Sequence, residues 1–215
     1  MTNAEPAADR PLLRGTFHLG AAFAAAAGAV LLLLLADSAS AYVGGAVFAA
    51  SLIAVYATSA AYHRVRWRPR LRGLVRRLDH AMIFTLIAGT YTPFCLAVLD
   101  TAWGISILSV VWALAGAGII LKLAWPDAPR WLSVAFYAAV GWLALVAAPE
   151  LIDWFSAVPL ALLLGGGLLY TAGGIVYGLR RPDPFPRVFG YHEVFHLFVV
   201  AGSAVHYTLV AAYVV

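Results

Sequence analysis

One cysteine, two methionines and a charged fraction of only 11% are what this 215-residue chain has little of, and each scarcity narrows what it can be. Cys95 stands alone in an apolar stretch, so no intramolecular disulfide can form, and it reads as a small buried hydrophobe. With 63% hydrophobic residues and a mean hydropathy of +0.88, the chain lacks the polar side chains needed to cover a water-soluble domain. A net charge of +4 does not point to nucleic acid, because the basic residues fall in short bursts between apolar runs and form no extended face. Linkers are missing too, so nothing divides the chain into separate domains.

What is present is a series of long apolar runs. A helix crossing a hydrocarbon core of about 30 Å needs about 20 apolar residues. Runs of that length lie near 15–36, 42–62, 79–99, 103–123, 131–149, 157–178 and 191–214. The expected fold is therefore an all-α integral membrane protein, a seven-transmembrane helix bundle behind a short tail of residues 1–14. The breaks carry helix-stopping residues: Asp37 to Ser40, Pro69, Asp100, Pro126 to Pro129, Pro149 to Asp153 and Pro182 to Pro186. Ala39-Ser40-Ala41 resembles a signal-peptidase site, but the preceding run from Phe17 is longer than a signal core and reads as a span.

Orientation follows from the basic residues, which resist translocation. Arg10 and Arg14 precede the first span, seven arginines from Arg64 to Arg77 lie between the second and third, Lys122 and Arg130 flank the next return, and Arg180, Arg181 and Arg187 precede the last span. Seven crossings place all 14 on one side, whereas the opposite loops hold Asp37, Asp100, Glu150 and Asp153 with no basic residue. The expected topology has a cytoplasmic N-terminus and an outside C-terminus, in the cell's inner (plasma) membrane. Gly165-Gly166-Gly167 and the pair Gly174 and Gly178 suit close helix approach.

Ionisable groups within spans are costly unless paired, wet or metal-bound, and so mark functional positions. His63 closes the second span, Asp79 and His80 open the third, and His192 and His196 open the seventh, all at one expected depth. His192 and His196, four apart, share a helix face at about 6 Å between Cβ atoms, a spacing that can chelate a metal. Ser59 and His63 repeat that spacing, which sets the hydroxyl one turn deeper. Three histidines with an open fourth position form the pattern of catalytic zinc, with Asp79 placed to hold or deprotonate the water. His80 points about 100° from Asp79 and is expected to be structural or interfacial. His18 has no visible partner and is expected to be structural or interfacial in the same way, and His206 to line the interior more deeply. His192-Glu-Val-Phe-His196 also satisfies the H-E-x-x-H pattern of zinc proteases, with Glu193 as the would-be base, but Glu193 is turned about 100° from His192.

Ser59-Ala-Ala-Tyr-His63, the stretch from Asp79-His80 to Thr92-Pro93-Phe94, and His192 to His196 continuing to Val205-His206-Tyr207 together resemble the bacterial haemolysin III family. That family is grouped with the progestin and adipoQ receptors and is more distantly related to the alkaline ceramidases. The resemblance covers essentially all seven spans. It implies Zn2+ held by His63, His192 and His196, with Asp79 near the water and Ser59 supporting the site. The expected activity is zinc-dependent hydrolysis of a ceramide-like lipid amide entering from the inner leaflet, with membrane lipids as partners and no nucleic acid. The alternatives are a lipid-homeostasis sensor with structural zinc, a pore-forming cytolysin, and an intramembrane protease using Glu193.

Overall fold

The computed structural model describes residues 11–215; residues 1–10 of the expected tail, Arg10 among them, lie outside the described residues. Eight α-helices follow in chain order: α1 (Thr16–Leu35), α2 (Ala39–Arg64), α3 (Pro69–Ala97), α4 (Thr101–Ala124), α5 (Arg130–Gly141), α6 (Ala148–Trp154), α7 (Ala157–Leu179) and α8 (Tyr191–Tyr213). A 3-10 turn, Trp142–Ala147, joins α5 to α6, so these two form one crossing, and seven helical segments are long and apolar enough to span a membrane.

Short loops make chain neighbours antiparallel, and the segments pack in sequence until α8 closes against α1. α2 and α3 are the most deeply buried, whereas α1, α5 and α7 present Phe23, Leu34, Trp131 and Leu179 outward. Such an apolar exterior suits lipid. Ser38 and Asp100 cap α2 and α4 with their side-chain oxygens at 3.1 and 3.0 Å from Ala41 N and Ala102 N. Close approach depends on small residues: a Cβ on Gly44 would strike the backbone of Pro93 in α3. Gly174 and Gly178 face Val134 of α5, whereas Gly165 has open space around it.

Two elements depart from the apolar runs. α3 begins at Pro69, not at Asp79, because Pro at the first helical position followed by arginines builds helix readily while being too polar to register as a span. The fifth crossing is interrupted, and Pro149 with Glu150 and Asp153 belongs to α6 instead of a loop. Tyr91 of α3 fills the interruption: its hydroxyl lies 3.1 Å from Val140 O and 2.6 Å from Gly141 O, and 2.7 Å from Ala144 N. A side chain inserted into the backbone ladder is a physical cause of such breaks, and it serves backbone groups that lipid cannot.

The basic residues meet at one end of the bundle. Arg64 donates to Thr16 Oγ1 at 2.8 Å, Arg76 pairs with Asp127 at 2.9 Å, Arg77 donates to Leu123 O at 3.0 Å, and Leu12 N donates to Arg187 O at 3.1 Å. This arginine-rich end carries the site.

Candidate metal centre and its cavity

At the arginine-rich end, the last turn of α2 and the first two turns of α8 bring His63, His192 and His196 together, all buried. One ring nitrogen from each lies within 4.8 Å of the others, so the three can hold a metal ion. The Nε2 atoms of His63 and His192 face each other at 3.2 Å. His196 Nδ1 is buried without a hydrogen bond. Buried polar atoms normally have partners, and converging imidazoles in apolar surroundings are the donor set a borderline cation takes. From α3, Asp79 Oδ2 stands 3.9 Å from His63 Nε2. Ser59, one turn deeper on α2, is buried with no hydrogen bond of normal geometry, and its hydroxyl is placed to donate to Asp79. The five residues expected to form the site, Ser59, His63, Asp79, His192 and His196, thus meet at one place.

Of the structural and interfacial roles expected for His18, the structure shows a packed one: its ring stacks on that of His196, centroids 3.6 Å apart and 11° between planes, with both nitrogens buried and unpartnered. The available signal was depth, since His18 lies in the first turn of its span as the other histidines lie near the ends of theirs. The His80 carbonyl accepts from Tyr137 at 3.0 Å, and the residue also lines the cavity. His206 does line the interior more deeply, its Nε2 donating to Leu163 O at 3.1 Å and its ring packed where Gly166 has no Cβ.

Glu193 belongs to a different structure. One carboxylate oxygen accepts from Arg14 Nε and the other from Gly190 N at 2.8 Å, which satisfies the start of α8. Both oxygens are thereby engaged away from the histidines, so the H-E-x-x-H pattern carries no protease geometry here.

Ser59, Asp79, His192 and His196 open onto a cavity of about 960 Å³ that extends between α3, α5, α7 and α8 to Leu151 and Leu160 near the opposite end. Its walls are almost wholly aliphatic and aromatic, at the large end of ligand sites. The arrangement pairs a polar, metal-competent pole with an apolar chamber.

The family model for haemolysin-III related proteins matches residues 7–207. The chain belongs to the haemolysin III family. Within it, the chain is 37% identical to Hemolysin-3 of Bacillus cereus over 177 residues, covering 82% of this chain and 78% of that protein. It is 34% identical to the Hemolysin-3 homolog of Bacillus subtilis (strain 168) over 169 residues, covering 79% and 76%. More distantly, it is 29% identical over 181 residues to the heptahelical transmembrane protein ADIPOR2 of Oryza sativa subsp. japonica, covering 76% and 79%. No solved structure matches the chain. This haemolysin III protein is thus a seven-helix, multi-pass membrane protein related to the adiponectin receptors.

Proposed function

We propose that this haemolysin III protein is a zinc-dependent hydrolase of a lipid amide, ceramidase-like, working at the cytoplasmic face of the inner (plasma) membrane with its C-terminus outside. The observation that carries the reading is three converging histidines and a carboxylate at the mouth of an apolar cavity. Zinc–nitrogen bonds of about 2.05 Å at a tetrahedral angle would set neighbouring nitrogens about 3.3 Å apart, and the His63–His192 separation of 3.2 Å supports that assignment. When bound, zinc supplies Lewis-acid polarisation of a carbonyl and lowers the pKa of a water in an open fourth position to about 7.

The protein's own groups divide the remaining work. The cavity orients the acyl chain and excludes bulk water from the carbonyl. Asp79 accepts the proton of the attacking water and returns it to the departing amine, so that water and amide become a carboxylate and an amine. Ser59 donates to the Asp79 carboxylate and holds it in place, while His18 fixes the plane of His196.

Two other readings have support of their own. A lipid sensor with structural zinc is favoured by Asp79 standing near enough to close the fourth position after a small shift. Cytolysis is favoured by the name of the Bacillus cereus relative, but the apolar cavity walls do not resemble a water-filled pore.

The test is elemental analysis of protein purified in mild detergent, beside His192→Ala with His196→Ala, followed by ceramide hydrolysis with Asp79→Asn and Glu193→Gln. About one zinc in the wild type, none in the double variant, and hydrolysis lost in D79N but kept in E193Q are expected. Zinc without hydrolysis favours the sensor, and metal-free wild-type protein defeats the proposal.

A further inference from the structure

Lys122 is the chain's one lysine, and it sits two residues before the end of α4. A lysine so placed normally extends its amine to water along the membrane surface. Lys122 does the opposite: it is 5% exposed, lines the cavity, and its Nζ donates to Ser133 Oγ of α5. Its neighbours each have a partner elsewhere. Arg76 pairs with Asp127, Arg77 donates to Leu123 O, and Arg130 donates to Tyr191 Oη and lies over the Tyr177 ring. Among the described residues no carboxylate pairs with Lys122.

A buried ammonium whose partner is a neutral hydroxyl retains most of its need for negative charge. Lys122 is the one lysine or arginine among the residues that line the cavity, and His80 shares its wall. The cavity therefore has a cationic pole besides its histidine pole. The cavity is lined by α4 at Lys122 and again at Ile107, positions about 22 Å apart along the helix at 1.5 Å per residue. One leaflet's chains fill about 15 Å of the hydrocarbon core, so an acyl chain fits along that length.

We propose that Lys122 and Ser133 form a head-group site for the anionic phosphate or carboxylate of an acyl lipid whose chain lies in the apolar cavity. The site stands without the hydrolase reading, although a fatty carboxylate is also what amide hydrolysis would leave behind.

The test measures binding to the full-length protein in vesicles of neutral phosphatidylcholine, with zinc content followed in parallel. The probes are a long-chain fatty acid and the alcohol of equal length, lysophosphatidic acid and the matching monoacylglycerol, and inorganic phosphate. The anionic lipids are expected to bind at least tenfold more tightly than their neutral counterparts. Lys122→Met should abolish that preference, Lys122→Arg should preserve it, and the alcohol's affinity and the zinc content should not change. Equal binding of charged and neutral lipids by the wild type overturns the proposal even if K122M does not fold. So does a preference that survives K122M. Competition by inorganic phosphate at millimolar concentration would show a free-anion site and overturn the lipid assignment.

Discussion

His18 is a useful case at the scale of single residues, because neither its neighbours nor its spacing in the chain mark it. Its ring lies flat on His196, and a ligand whose ring is braced loses less freedom when it takes a metal. His18→Ala is expected to weaken zinc retention by about 10-fold or more, by analogy with other outer-shell losses. His18→Phe, which preserves a flat ring, should retain most of it. Competition against a calibrated chelator measures both, and equal affinities for the wild type and H18A would refute the bracing role. Glu193 teaches the opposite lesson, since a protease-like pattern marked it and the fold uses it to start α8. Glu193→Gln should leave zinc content unchanged and cost about 1–3 kcal/mol through the weakened Arg14 and Gly190 contacts. A lowered melting temperature with full zinc is the expected result; loss of metal would place Glu193 in the site.

Among the elements, the fifth crossing shows most clearly what apolar length leaves out. Residues 131–149 read as a continuous run, yet the helix breaks over Trp142–Ala147 because the Tyr91 hydroxyl serves the backbone of Val140, Gly141 and Ala144. Tyr91→Phe would leave those groups without that partner and is expected to cost about 1–2 kcal/mol. Thermal unfolding in detergent measures it, and an unchanged midpoint would mean that the break has another cause. α3 departs for a related reason. Hydropathy detects what enters lipid, whereas Pro69 and the following arginines form helix without being apolar. The boundaries of α1, α4, α7 and α8 fall within two residues of their apolar runs, because there the helix and the hydrophobic stretch coincide.

For the molecule as a whole, the site links the last turn of α2 to the first two turns of α8, elements separated by most of the chain. A ligand that binds only the folded state stabilises it in proportion to its occupancy, by about 2.7 kcal/mol at 100 times its dissociation constant. Removing metal from zinc-loaded protein with a chelator is therefore expected to lower the unfolding midpoint, and restoring zinc to raise it. The His192→Ala, His196→Ala double variant should respond to neither. A wild-type midpoint that ignores the chelator would argue against a tightly held metal between α2 and α8.

Much of this was legible in the chain alone. Lipid-compatible runs are local, so seven spans could be counted, and histidines or carboxylates in such runs are costly enough to mark His63, Asp79, His192 and His196 as a group. Four-residue spacing is also local, so the shared faces of His192 with His196 and of Ser59 with His63 could be read directly. The tertiary structure alone decided which helices meet. It brought His18 onto His196, turned Glu193 toward Arg14, set Tyr91 into the fifth crossing and directed Lys122 inward to Ser133. Each of these contacts joins residues on different helices or outside a shared helix, and local periodicity contains no information about a partner that only packing brings near.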